Sequence, residues 1–178
     1  YHSWITADNH HFDHNLSDPR WADCLFSIEM KCIALIDLAA RYLPGKFPGP
    51  IEVSVLWTDD LKIAELNQLF RSKIGATNIL SFPSGDQSAS TEDRLFMGDL
   101  VLGFETVISE AKAAGIAEQD HITHLILHGL LHLAGFDHIL DDEAAEMEKL
   151  ESYLLSKIGI EDPHQDVIYT PSGARDTP

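Results

Sequence analysis

The segment HGLLHLAGFDH, residues 128–138, carries three histidines at a spacing that suits a metal ion. His128 and His132 are four residues apart, so in a helix they lie on the same face. Gly135 follows three residues later and permits a left-handed turn, which can bring His138 back toward the other two rings. Three neutral imidazoles suit Zn²⁺ and leave a fourth position for water, as in catalytic sites. The spacing therefore predicts one zinc ion held by these three histidines.

The residue after the first histidine is Gly129, where zinc peptidases of the metzincin type carry the glutamate that acts as general base. Without that carboxylate, peptide hydrolysis loses its usual proton acceptor. A metal ion can still polarise a phosphoryl oxygen or lower the pKa of water, which suits phosphodiester cleavage. A peptidase that uses another base, with Asp137 as the nearest carboxylate, is one alternative. The other role for Asp137 is to orient His138 or to cap the turn.

Phosphodiester cleavage also needs a cation for the scissile phosphate. Arg71 and Lys73 lie in the predicted loop between a helix and a strand, and a guanidinium can bind a phosphate through two hydrogen bonds. We therefore select Arg71 to position the phosphate; a solvated pair of loop charges is the alternative. His124 lies on nearly the same helical face as His128, where it could support the metal ligands or be a partly exposed polar residue.

The composition is that of an ordinary globular domain: 178 residues, 44% hydrophobic and 23% charged. The formal net charge of −17 argues against a general nucleic-acid coat, so an anionic substrate needs a local cationic site. No apolar run approaches the length of about 18 residues that spans a membrane, and the polar start does not look like a signal peptide. Cys24 and Cys32 are predicted to be reduced thiols, which favours a cytoplasmic location.

Hydrophobic periodicity predicts an α+β fold, with a small mixed sheet of about four strands packed by about five helices. The metal site is expected at the end of a buried helix. The predicted strands are 12–16, 51–57, 78–83 and 98–103, and the predicted helices are 18–45, 58–71, 105–115, 118–135 and 141–159. In the second helix we expect Thr58 to be the N-terminal cap. The positions of that helix expected to face the core are Leu61, Leu66, Leu69 and Phe70.

We expect one domain over residues 11–159, because no repeat or linker divides this range. Residues 1–10 are expected to be disordered or to originate outside the natural protein. Residues 160–178 have no periodicity and are expected to form a flexible tail. The histidines near the start could bind a metal only adventitiously; they are His2, His10, His11 and His14.

Residues 128–138 match throughout the H-G-x-L-H-L-x-G-[YF]-D-H motif of the YbeY family of bacterial zinc-dependent endoribonucleases. The resemblance extends to LNQLFR, TNILSFP, MGDLVL and MEKLE, and so covers roughly residues 50–158. Asn78 stands where the family usually has Asp, and Phe136 replaces the commoner Tyr. We therefore assign no ionised role to Asn78 and no chemistry to Phe136. The first twenty residues do not match the family clearly.

The resemblance implies a zinc-dependent endoribonuclease that cuts single-stranded RNA in 16S ribosomal RNA maturation and ribosome quality control. It implies that His128, His132 and His138 bind the metal and that Arg71 acts at the RNA site. The substrate would be a ribosomal RNA precursor, the partners small-subunit ribosomal proteins or an assembly GTPase, and no membrane would be involved. Residues 11–159 would form the endoribonuclease domain. The alternative to catalysis is a zinc-containing ribosome-assembly factor.

Overall fold

The structure is a computed structural model that describes residues 2–5, 10–47, 49–85, 94–136 and 141–160, with the side chains of 2–5 and 141–143 left aside. The strands are β1 (His2–Ile5), β2 (His11–Leu16), β3 (Ile51–Thr58), β4 (Ile79–Pro83) and β5 (Leu95–Gly103). The helices are α1 (Trp21–Tyr42), α2 (Asp60–Arg71), α3 (Phe104–Ala114), α4 (Glu118–Leu133) and α5 (Asp141–Lys157). The predicted α+β fold is confirmed.

The strands form one mixed sheet in the order β1-β2-β3-β5-β4. The pairs β2–β3 and β3–β5 are parallel, whereas β1–β2 and β4–β5 are antiparallel. β1 lies within the segment 1–10 that we expected to be disordered, and it pairs with β2 so that Ile5 lies opposite His11. With only four residues, β1 is too short to show the alternation that reveals a strand.

The core lies on the face of the sheet that α1, α4 and α5 cover. In β3, the alternating residues Ile51, Val53, Val55 and Trp57 are buried, as the sequence predicted. α4 is buried on most of its circumference, because it lies between the sheet and the other helices. The helix that carries His128 and His132 is therefore held by packing on several sides.

Two histidines near the start of the chain are buried parts of the sheet. His10 Nδ1 accepts a hydrogen bond from the backbone N–H of Ile51 at 3.0 Å. His14 Nδ1 accepts a hydrogen bond from the indole Nε1–H of Trp57 at 2.8 Å. Each ring thus satisfies a buried donor, which gives these residues a structural role in joining β2 to β3.

α2 lies on the opposite face of the sheet, and our prediction of its inward residues was partly wrong. Ile63 and Asn67 are its buried residues, and Leu66 packs beside Ile63. The other three predicted positions are exposed: Leu61 by 73%, Leu69 by 72% and Phe70 by 60%. The helix has more apolar residues than its narrow contact with the sheet can bury. Hydrophobic periodicity alone therefore assigned too many residues of α2 to its buried face.

The start of α2 also differs from expectation. Its cap is Asp59, whose Oδ1 accepts a hydrogen bond from the backbone N–H of Lys62 at 2.8 Å. Thr58, the predicted cap, is the last residue of β3. A carboxylate at this position also interacts favourably with the positive end of the helix dipole.

α4 lies close to the sheet at Gly129, which faces β4 and β5. A Cβ atom on this residue would lie 2.6 Å from Leu100 Cδ2 and 3.1 Å from Ile79 Cδ1. The first distance is shorter than a carbon–carbon contact, so a side chain at 129 would require the buried side chain of Leu100 to move. Gly129 therefore lets the helix pack against the two strands without displacing this residue.

Cys24 and Cys32 are free thiols, and burial raises the pKa of Cys32 to about 12. Among the helices of the described residues, none combines the length and the apolar character needed to cross a membrane.

We expect Gly129→Ala to lower the free energy of unfolding by about 1 kcal/mol, because overpacking of Leu100 costs more than the gain of about 1 kcal/mol that alanine brings in a helix interior. Urea denaturation of both proteins measures this difference. Gly45→Ala is the matched control, since a Cβ atom on Gly45 would meet nothing within 4 Å. Equal stability of the two variants would contradict the close approach.

Candidate metal centre and cleft

The histidines of α4 follow one another along one side of the helix. Their spacing of three or four residues places His121, His124, His128 and His132 on successive turns. The ring centroids of His124 and His128 are 6.3 Å apart, and those of His128 and His132 are 4.6 Å apart. The distance between neighbouring rings therefore shortens toward the end of the helix, where we predicted the metal site.

The Nε2 atoms of His128 and His132 converge to 3.0 Å. Two nitrogen atoms that share a tetrahedral zinc ion at the usual bond length are separated by about 3.3 Å. The two rings thus have nearly the separation that one metal ion requires.

The hydrogen bonds at the other side of each ring decide where the protons are. His128 Nδ1 donates to Oε1 of Glu151 at 3.0 Å, and His132 Nδ1 donates to the backbone carbonyl of Phe136 at 3.0 Å. An ionised carboxylate and a carbonyl only accept hydrogen bonds, so the proton of each neutral ring lies on Nδ1. Both Nε2 lone pairs then point at each other, an arrangement that a cation between them stabilises. The donor set fits a metal ion.

Glu151 holds the ring of His128 in this orientation. Its side chain is only 1% exposed, and it also accepts a hydrogen bond from Nε2 of His124 at 2.6 Å. A buried carboxylate is stable only when donors or opposite charges surround it. Glu151 therefore ties α5 to α4 and fixes two histidines at once.

Our sequence reasoning missed Glu151, although it lies in the MEKLE segment. The sequence does contain a signal for it: Glu151 interrupts the apolar stripe of α5, between the buried residues Met147 and Leu154. A charged residue within an apolar stripe is an unusual core position and points to a buried polar contact. Its partners are on another helix, so spacing alone could not identify them.

His124, His128 and Glu151 themselves form a group that could hold one metal ion, since their ligand atoms lie within 4.8 Å of one another. This group shares His128 with the pair described above. Glu151 is almost wholly buried, whereas His124, His128 and His132 all line the cleft. Of the two arrangements, the His128–His132 pair is the one in which both ligand residues line the cleft.

His138, the predicted third ligand, and Asp137, predicted to support it, lie outside the described residues. Their roles stay predictions from the sequence.

The histidines line one wall of a cleft of about 660 Å³. The opposite wall is formed by β4 and by the end of α2, and it includes Arg71, Asn78 and Ser81. Lys73 lines the same cleft. The fold therefore brings together the four site residues that we selected within the described residues, which are Arg71, His124, His128 and His132.

Arg71 is held at the outer edge of β4. Its guanidinium donates a hydrogen bond to the backbone carbonyl of Ser81, and its Cζ lies 5.2 Å from the ring centroid of Phe82. The two contacts restrict a side chain that would otherwise be mobile, since the planar guanidinium suits both a carbonyl and an aromatic face. The remaining N–H groups of the guanidinium can bind an anion in the cleft.

The loop after Arg71 is shaped by Asn67, which is buried beneath it. Asn67 Nδ2 donates to the backbone carbonyl of Gly75 at 3.0 Å, and the backbone carbonyl of Asn67 accepts a hydrogen bond from the backbone N–H of Lys73 at 3.3 Å. Ser72 adopts a left-handed conformation with φ of 55° where the helix ends. The chain therefore turns sharply, so that Arg71 and Lys73 both face the cleft.

We expect Glu151→Gln to weaken metal binding about 10- to 100-fold, because the amide is a weaker and less specific acceptor for His128 Nδ1–H. Competition with a chromophoric chelator measures the dissociation constant. Glu146→Gln, at an exposed position of the same helix, is the matched control and should bind metal as the wild type does. Unchanged affinity in Glu151→Gln would show that this carboxylate does not support the ligand.

The family model described as Endoribonuclease YbeY matches residues 26–159. The Endoribonuclease YbeY of Paramagnetospirillum magneticum is 42% identical over 151 residues, which cover 82% of this chain and 90% of the relative. That of Ruegeria pomeroyi is 40% identical over 164 residues, 85% of this chain and 96% of the relative.

Among solved structures, the solution structure of TM1509 from Thermotoga maritima is similar to this fold. The TM-score is 0.50, and the sequences are 20% identical over 83% of this chain and 91% of the other. This likeness concerns the fold alone. On the family match and the identity to its relatives, the chain belongs to the Endoribonuclease YbeY family.

Proposed function

We propose that this protein is a zinc-dependent endoribonuclease that cleaves single-stranded RNA. The observation that carries the proposal is that Arg71 lines the same cleft as His128 and His132, whose Nε2 atoms are paired. A phosphodiester needs a cation for its oxygens and a Lewis acid at the reacting centre, and the two walls supply one each. The relatives carry the name endoribonuclease, which agrees with this chemistry.

In this proposal His128, His132 and the predicted ligand His138 hold the zinc ion. When bound, zinc polarises a phosphoryl oxygen and lowers the pKa of water. Glu151 keeps the proton of His128 on Nδ1, so that Nε2 stays available as a ligand. Arg71 binds and orients the phosphate, and its contacts with Ser81 and Phe82 reduce the entropy lost on binding.

The net charge of −17 opposes RNA binding over the whole molecule. Arg71 and Lys73 provide a local exception, because both line the cleft. Each phosphate contact adds an increment to the affinity that falls with salt concentration. We infer that few phosphates are bound and that affinity for RNA alone is modest.

Peptide hydrolysis fits the cleft less well. Gly129 occupies the position of the peptidase base, and any side chain there would have to displace Leu100, whose Cδ2 atom lies 2.6 Å from the position of a Cβ atom. A peptide substrate would add to the open edge of β4, where the Arg71 guanidinium already contacts the Ser81 carbonyl.

The proposal extends to the cytoplasm and to a precursor of 16S ribosomal RNA as the substrate. It includes small-subunit ribosomal proteins or an assembly GTPase as partners. Support for this part comes from family membership and from the acidic surface, which favours recruitment by a partner over binding to RNA in general.

Zinc-loaded protein should cleave a labelled single-stranded RNA, and His132→Ala prepared in the same way should not. The comparison removes the contribution of trace ribonucleases, which both preparations would share. Removal of zinc with a chelator should abolish cleavage, and added zinc should restore it. If both preparations cut equally or neither cuts, the zinc-containing assembly factor becomes the better account.

We expect Arg71→Ala to lower kcat/KM for RNA cleavage about 100-fold, because the phosphate loses its positioned cation. Zinc content, measured by atomic absorption, should not change, since Arg71 contacts no metal ligand in the described residues. Arg71→Lys should recover little of the activity, because an ammonium group cannot make two parallel hydrogen bonds. Full activity in Arg71→Ala would exclude this residue from the reaction.

A further inference from the structure

Glu110 of α3 joins the two walls of the cleft. Its Oε1 and Oε2 lie 3.1 and 3.3 Å from Nδ2 of Asn78, which donates to the carboxylate. Its Oε1 also lies 3.0 Å from Nε2 of His121, near the start of α4. One carboxylate thus contacts the residue just before β4 and the helix that carries the histidines.

The carboxylate is suited to hold both partners. Burial opposes ionisation of Glu110, but the hydrogen bonds from His121 and Asn78 outweigh it, so the pKa of Glu110 is lowered. An ionised carboxylate makes stronger hydrogen bonds than a neutral acceptor does. The contacts of Glu110 are therefore maintained at neutral pH.

Both partners of Glu110 lie close along the chain to residues of the proposed site. Asn78 lines the cleft itself, and three residues later the carbonyl of Ser81 accepts the guanidinium of Arg71. His121 is two turns before His128 on the rigid core helix. A shift of β4 relative to α4 would thus change the distance between Arg71 and the metal ligands.

We propose that Glu110 is a positioning residue that sets the separation between the phosphate-binding arginine and the metal centre. This inference rests on the proposed nuclease function of the cleft. Glu110 acts through Asn78 and His121 and does not contact the substrate. Displacement of a reacting group by about 1 Å can slow a reaction about 100-fold, so the clamp affects rate more than binding.

The same carboxylate contributes less to the stability of the fold. Its side chain is 40% exposed, and α3 is anchored independently by the buried residues Val107 and Ala111. Loss of the Glu110 contacts should therefore loosen the alignment of the two walls without unfolding the domain.

The primary test is steady-state cleavage of a labelled single-stranded RNA by zinc-loaded Glu110→Ala. We expect kcat to fall about 10- to 100-fold while KM stays within about 3-fold. Glu110→Gln should recover most of the rate, because its amide can accept from Asn78 and donate to a neutral His121. A purely structural role would lower melting temperature and activity together and would give no such difference between Ala and Gln.

Asn78→Ala should resemble Glu110→Ala, and the double variant should be no worse than either single one, since both changes remove the same link. If the losses in kcat of the two single variants add up in the double variant, Glu110 and Asn78 do not act through one contact. The matched control is Glu105→Ala on the same helix, whose carboxylate accepts the N–H of Asp60 at 3.0 Å and contacts Arg20. It should lose stability but keep kcat.

Amide hydrogen exchange tests the clamp without any reaction. Residues of β4 should exchange faster in Glu110→Ala and Asn78→Ala than in the wild type, and not in Glu105→Ala. If the wild type cleaves no RNA, the proposed function fails while exchange still decides whether Glu110 aligns the walls. Unchanged exchange together with unchanged kcat would overturn the inference.

Discussion

The carboxylate of Glu151 has almost no contact with water, and a buried charge of this kind is stable only where donors surround it. The donors are Nε2 of His124 and Nδ1 of His128. The same two hydrogen bonds therefore stabilise the carboxylate and orient both rings. The same hydrogen bonds join α5 to the central helix. Since the proton of His128 is held on Nδ1, its Nε2 lone pair is directed at His132. The orientation of His128 in the cleft thus depends on its hydrogen bond to the buried carboxylate of Glu151.

The cleft itself is an arrangement of two walls with different kinds of support. The histidine wall belongs to a helix that is buried among the sheet and three other helices, so its geometry follows from packing. The arginine wall lies at the edge of the sheet, where β4 pairs with β5 alone among the described strands. Polar contacts therefore contribute more to its position. Asn67, Phe82 and the Ser81 carbonyl restrain Arg71. The cleft thus combines a helix fixed by core packing, α4, with an edge strand, β4, that is held by fewer contacts.

Sequence patterns predicted the parts of this structure that depend on local spacing. The alternation in β3 and the three- and four-residue spacing in α4 gave these elements and placed His128 and His132 on one face. Glu151 interrupts the apolar stripe of α5, but its partners lie on another helix, so spacing within one helix did not identify them. The strand β1 was not expected, because four residues are too few to show an alternating pattern. The exposure of Leu61 and Phe70 could not be predicted either, because it depends on how little of α2 the sheet covers. His138 keeps its predicted role without a structural test.

Gly129 links the shape of the core to the evolution of the chemistry. A single substitution to glutamate would place a side chain against Leu100 and Ile79, in a close contact between the helix and the sheet. To acquire the peptidase base, the chain would need compensating reductions in volume on two strands as well. Single mutational steps along that route pass through destabilised intermediates. The packing of the sheet therefore opposes a glutamate at this position of the helix, whatever the cleft binds.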